Sequence, residues 1–152
     1  MGFEEVKMSE KFKLIASVYL LFRKENKILL LRRTNTGYED GNYGLVAGHV
    51  DGNESLTFAA AREAKEESGV EIDTKDLALK VVMHRIGADE RMDFFFEPKK
   101  WSGEIKNMEP EKCSDLSWFL IDDLPQNTIP YIREVIECYK NGIFYCEFGW
   151  DK

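Results

Sequence analysis

The stretch GHVDGNESLTFAAAREAKEESGV, residues 48–70, decides how this chain folds and what it is built to hold. Its middle reads as a helix over residues 55–68, with Ser55 as N-cap, alanines in the interior, and Gly69 suited to the left-handed position just past the end. On a helical wheel, Leu56, Ala59, Ala60, Glu63 and Glu67 fall along one stripe and Glu66 borders it. The carboxylates therefore occupy the C-terminal half of a face that begins apolar. That placement is costly: like charges one turn apart repel, acids near a helix C-terminus oppose the macrodipole, and partial burial strips them of water. A solvated face would not continue an apolar stripe. Carboxylates at this spacing are hard oxygen ligands suited to Mg²⁺ or Mn²⁺.

A Glu-Glu pair on a helix is ordinarily solvated surface, and the wider spacing is what argues otherwise. Gly48, Glu54, Arg62, Glu63, Ala64, Glu66, Glu67, Gly69 and Val70 stand at the places of the signature that defines the Nudix hydrolases, and the stretch resembles that signature closely. By composition, a match at all the invariant places has odds of roughly one in 10⁸ per start position. Ala64 is smaller than the usual aliphatic residue, a difference that concerns packing under the helix and not the acids. The resemblance implies an α+β Nudix fold, a mixed β-sheet packed between α-helices, in which the signature forms loop, helix and loop. It also implies metal-dependent hydrolysis of a nucleoside diphosphate linked to another group. Glu63, Glu66 and Glu67 are then metal ligands, with Mg²⁺ or Mn²⁺ as cofactor. The carbonyl of Gly48 is a further ligand, since a residue without Cβ permits close approach. Arg62 orients the glutamates, and Glu54 pairs with Arg62 or assists the metal site.

Length and composition are consistent with that reading. The chain has 152 residues, 43% of them hydrophobic, enough for one domain with a proper core. A formal net charge of -7 argues against a nucleic-acid polymer as partner. It leaves room for a small-molecule nucleotide, because a bound cation inverts the local potential. Cys113, Cys138 and Cys146 show neither paired nor metal-type spacing and read as free thiols of a cytoplasmic protein. The apolar run LIASVYLLF, residues 14–22, lacks a cleavage site and is too short to span a membrane. The start also lacks the Ser or Thr of a myristoylation signal, having Val6 there.

Along the chain, residues 1–10 read as a short polar arm and residues 11–152 as the single domain, monomeric or homodimeric. KLIASVYLLF and KILLLRR read as two strands joined by a tight turn at RKEN. A Gly/Asn/Asp-rich loop and the short strand YGLVAGHV lead into the signature. LALKVVMHRIG, RMDFFFEP and SDLSWFLIDDLP follow as strands. Pro130 and Gly142 bracket a second helix, and the tail IFYCEFGW is strand-like or loose.

Outside the signature, WSGEIKNMEPEKC resembles a segment in family members that cleanse oxidised guanine nucleotides, where the matching acid binds metal or serves as base. That puts Glu104 forward, with Glu109 as the alternative because loop length is not fixed by sequence. Candidate substrate contacts are Arg32 and Arg33 at the end of a strand, which alternation sends to opposite faces so that one enters the cleft. His49, Tyr43 and Arg85 are candidates beside them, with Arg85, like His84 and Arg91, weighed against charged strand edges. Phe94, Phe95 and Phe96 read first as strand core and second as a stacking platform.

Family members acting on ADP-ribose often carry a proline past the signature, and dinucleoside polyphosphate hydrolases a tyrosine. VVMHRIGADER has neither. The chain also lacks the extra N-terminal segment with which many ADP-ribose enzymes dimerise. The expected substrate is therefore a nucleoside triphosphate, oxidised purine or pyrimidine, ahead of ADP-ribose or a nucleotide sugar. A non-catalytic nucleotide-sensing domain is the rival from another class. It is disfavoured because all the metal acids are present. A structural calcium site is a poor rival, since the acids lie on a helix and lack a calcium-loop pattern.

Overall fold

In the computed structural model, which describes residues 10–151, the first apolar region divides into three strands: β1 (Ile15–Leu20), β2 (Arg23–Lys24) and β3 (Lys27–Arg33). All but Glu10 of the expected arm lies outside the described residues. The tight turn is present, with Glu25 at φ 52°, but it joins β2 to β3 and not one long strand to another. β1 leaves β3 and inserts into a different sheet. Its C-terminal half and the residues after it, from Val18 to Phe22, are at most 5% exposed. A strand buried on both faces takes neighbours on both edges, which a simple hairpin cannot supply.

The chain continues through β4 (Tyr43–Gly44), β5 (Val46–His49), α1 (Leu56–Ser68), a 3₁₀ turn at Thr74–Asp76, β6 (Leu77–Ile86), β7 (Glu90–Pro98), β8 (Cys113–Leu120), α2 (Pro130–Lys140) and β9 (Tyr145–Phe148). One sheet has five strands in the order β5-β1-β7-β6-β9, with β1 and β7 parallel and β6 and β7 antiparallel. The other has four strands, β2-β3-β4 with β8 along the other edge of β3. The tail thus resolves as an edge strand running parallel to β6.

The helices lie on opposite faces, and strand alternation explains how. Val18 and Leu20 of β1 pack with Ala59, Ala60 and Ala64 of α1. Tyr19, Met83 and Phe95 point the other way, to Ile132, Val135 and Ile136 of α2. β3 serves both cores, Ile28 and Leu30 on one side, Leu29 and Leu31 on the other. This is the α+β sandwich expected from the sequence, with its sheet in two parts.

The ends of α1 follow the sequence reading. The Phe58 N–H donates to Ser55 Oγ at 3.2 Å, and Gly69 adopts φ 79° while its N–H donates to the Lys65 carbonyl. All three cysteines are free. Fold and not spacing brings Cys138 and Cys146 near each other, and burial pushes the Cys146 thiol up to about 12. Among the described residues no helix is long and apolar enough to cross a membrane.

Candidate active site

The acids of α1 open onto a cleft of about 890 Å³ that runs from the signature helix across β5 and β4 to the face of the five-stranded sheet beneath α2. Gly48, Glu63, Glu66, Glu67, Asp51 and Glu109 line one end. Gly48 is a glycine for a steric reason, since a Cβ there would collide with the Glu63 carboxylate. Helix α1 can therefore press its acids against β5.

Arg62 organises this end. Its Nε and Nη2 grip Glu54 in a two-pronged bond at 3.1 and 2.7 Å, Nη1 donates to Glu63 at 2.8 Å, and Nη2 also reaches the His49 carbonyl at 3.2 Å. Glu54 in turn accepts from the Asp51 N–H at 2.8 Å, which ties the loop before the helix to the helix itself. With every arm of the guanidinium engaged by protein, Arg62 is placed to position the glutamates. The Arg62 bonds hold the Glu54 carboxyl below its usual range.

The other acids are under electrostatic load. Burial pushes Glu67 up to about 8; its one compensating bond is from the Ala47 N–H at 3.0 Å, and the charges of Glu63 and Glu109 add to the rise. Burial likewise pushes Glu63 up to about 7, against the pull of Arg62 and with help from Glu66 and Glu109. Glu66 is the most open of the set, its side chain half exposed. Among the described residues no three His, Cys, Asp or Glu groups already converge at metal-ligand spacing. Glu63 and Glu66 face Arg62 and Glu67 faces Ala47, so a cation is accommodated by turning these side chains. The donor set is all hard oxygen, and Glu63 and Glu67 crowd negative charge that a divalent cation relieves, so the residues fit such an ion.

Glu104 is not brought to this cleft. It is exposed and absent from the lining, whereas Glu109 lines it and sits within electrostatic reach of Glu63 and Glu67. The loop is fastened to the end of α1, with the Lys106 N–H donating to the Ser68 carbonyl at 3.0 Å and the Met108 N–H to that of Glu67 at 3.3 Å. The helix's unpaired carbonyls thus fix the loop, and its geometry carries Glu109 rather than Glu104 inward.

Arg33 lines the cleft, and Arg32 is exposed with its Nε on the Gly41 carbonyl, so alternation separates them as expected. His49 lines it too, 2.9 Å from Nη1 of Arg91. Arg85 is a buried wall residue and not a strand edge. Tyr43 is not in the cleft: its hydroxyl donates to Asp115 and its ring packs on Phe119. His84 is likewise outside, bonded to Glu90 and against Trp150. Phe95 and Phe96 are buried in opposite cores, Phe94 packs beside them, and none of the three lines the cleft. Sequence reading missed Ser17, Tyr19, Tyr38, Lys112 and Tyr131, all cleft-lining. No local signal marks them, because distant segments bring them together.

Fold and site together define a domain that presents clustered carboxylates to an elongated cleft. The NUDIX domain family matches residues 11–138, and the chain belongs to that family. Among solved structures it is similar to a MutT NUDIX hydrolase from Burkholderia pseudomallei, with TM-score 0.76, 29% identity, and 83% of this chain and 98% of that one covered. It is also similar to a MutT protein from Methanosarcina mazei Go1, with TM-score 0.73, 25% identity, and 84% and 94% covered. Among curated proteins it is 32% identical over 108 residues to an NAD-capped RNA hydrolase NudC of Salmonella heidelberg (strain SL476). That match covers 71% of this chain, and the chain spans 40% of the length of that relative.

Proposed function

We propose that this chain hydrolyses a pyrophosphate bond in a nucleoside diphosphate linked to a further group, using Mg²⁺ or Mn²⁺ held by Glu63, Glu66, Glu67 and the Gly48 carbonyl. The observation that carries the reading is the pair of crowded acids, buried Glu63 and partly buried Glu67, raised to about 7 and 8, with a glycine that gives the Glu63 carboxylate room. Bound there, the cation neutralises the phosphates and acidifies the attacking water. Arg62, itself neutralised by Glu54, holds Glu63 and leaves the open Glu66 free to turn. Water adds to an inner phosphorus, the bond to the bridging oxygen breaks, and Glu109 takes the proton from the water. Arg33, His49, Arg91 and Lys112 supply positive or hydrogen-bonding groups along the phosphate path.

The favoured substrate is a nucleoside triphosphate, yielding monophosphate and pyrophosphate in a cytoplasmic setting. The second reading is a nucleotide linked to a sugar or to a second nucleoside, as in ADP-ribose or an NAD end; similarity to relatives named NAD-capped RNA hydrolase favours it. The test is Mg²⁺-dependent product formation across a nucleotide panel, with products identified by mass: monophosphate and pyrophosphate from a triphosphate, two phosphomonoesters from a nucleotide sugar or dinucleotide. Glu66→Gln should lower turnover by ~10²-fold or more while the protein stays folded. A folded wild-type protein that releases nothing from any member of the panel overturns the reading.

A further inference from the structure

The end of the cleft away from the glutamates has a different chemistry. Ser17, Tyr19, Arg85 and Tyr131 line it. Ser17 on β1 and Asp93 on β7 are register partners on adjacent parallel strands, so their side chains stand on the same face. Asp93 is fully buried and Ser17 2% exposed. One Asp93 oxygen accepts from Arg85 Nε at 2.7 Å; its other oxygen, Oδ1, and Ser17 Oγ are both buried without a hydrogen-bond partner among the described residues. Arg85 also reaches the Tyr19 hydroxyl at 3.4 Å and lies 3.7 Å from the centre of the Tyr131 ring.

Orphaned buried polar atoms are rare and costly, and Ser17 Oγ on the cleft lining, with Asp93 Oδ1 sealed beside it, calls for a partner. The sealed Asp93 carboxylate only accepts, so the Ser17 hydroxyl turned toward it donates to it, and a partner in the cleft must donate to Ser17. Arg85 and Asp93 cancel each other's charge, so this end suits a neutral group and not another phosphate. The Arg85 guanidinium beside the two acceptors asks for a ligand acceptor next to the ligand donor. A planar heterocycle with an amide-type edge offers both, and flat neighbours such as Tyr131 suit its shape.

We propose that Ser17 is the specificity residue at the floor of the cleft: with its hydroxyl turned to donate to Asp93 behind it, Ser17 Oγ accepts an N–H on the uncharged amide-type edge of the ring at the nucleoside end of the substrate, with Arg85 holding the adjacent carbonyl or ring nitrogen. The proposal rests on the pyrophosphate lying at the glutamates. Two sources share this chemistry, a nucleobase and the carboxamide of a nicotinamide ring.

The test is calorimetric binding of product monophosphates with metal chelated, so that no turnover is needed. Purine nucleotides are compared with purine riboside monophosphate, uridine and cytidine monophosphates with the 2-pyrimidinone riboside analogue, and nicotinamide mononucleotide with its 3-acetylpyridine counterpart. In each pair the second member lacks the N–H. Wild-type protein should prefer the intact edge by ~10- to 100-fold in at least one pair, and that pair names the source. Ser17→Ala and Asp93→Asn should reduce the preference to within ~3-fold. Ser17→Ala removes one oxygen and leaves the Arg85 pair intact, so it decides the matter should Asp93→Asn fail to fold. No preference in any pair, or a preference unchanged in Ser17→Ala, overturns the proposal and leaves the two atoms to a bridging water. Preserved preference in a protein without Glu66-dependent turnover would instead sink the hydrolase reading alone.

Discussion

Gly48 and the acids it accommodates carry the chemistry at the scale of single residues. Gly48→Ala places a methyl group against the Glu63 carboxylate, so Glu63 must turn away. Turnover should fall by ~10-fold or more while the unfolding midpoint changes little, which paired activity and denaturation measurements would show. The raised acids predict a pH effect with a definite sign. Glu67 has a folded value of about 8 against an ordinary 4.5, so between those limits the folded state binds more protons than the unfolded one. Without metal, its contribution to stability is present below the unfolded value and is lost as pH rises toward 8. A cation must displace that proton. Mg²⁺ binding near pH 7 should therefore release protons, seen as a buffer-dependent heat in calorimetry, and Glu67→Gln should abolish most of that release.

At the scale of elements, α1 and the loop that follows it show what local patterning does and does not convey. Ser55 and Gly69 end the helix as their side chains dictate. Ser55→Ala should cost ~1 kcal/mol of stability by denaturant titration with turnover unchanged, because the cap is remote from the acids. Gly69→Ala is different. Its φ of 79° disfavours a side chain, and a Cβ would come within 3.1 Å of Met108 Sδ in the loop that carries Glu109. It should cost ~1 to 2 kcal/mol and lower turnover as well, and the two losses together distinguish it from a simple cap defect.

The same elements mark where sequence reading failed. Glu104 and Glu109 are both acids in one polar loop; bonds from Lys106 and Met108 to the end of α1 choose between them. β1 and β3 look like hairpin partners because turn signals report only neighbours in the chain. Burial of β1 on both faces sends it instead between β5 and β7.

At the scale of the whole molecule, the tail closes the edge of the five-stranded sheet. β9 pairs with β6, and Gly149 at φ 89° turns the chain so that Trp150 Nε1 donates to the His84 carbonyl at 3.0 Å. A Cβ at Gly149 would strike the Ile86 carbonyl. Gly149→Ala should detach β9, so that amide exchange accelerates at residues 145–148 and along the facing part of β6. Arg85 lies on that part of β6, so the nucleoside end of the cleft should loosen with it, while Mg²⁺ binding at the glutamates is retained.

The sequence by itself determined the helix, its caps, the acids on its buried stripe and the glycine they press against, because these are written in spacings within a single segment. That was enough to define the family and the α+β sandwich. Only the tertiary structure decided that Glu109 faces the cleft, that Tyr43 and the phenylalanines do not, and that Ser17 and Arg85 line one floor with Asp93 buried against them. Those residues come from strands far apart in the chain, and strand order and register, which local pattern does not encode, bring them together.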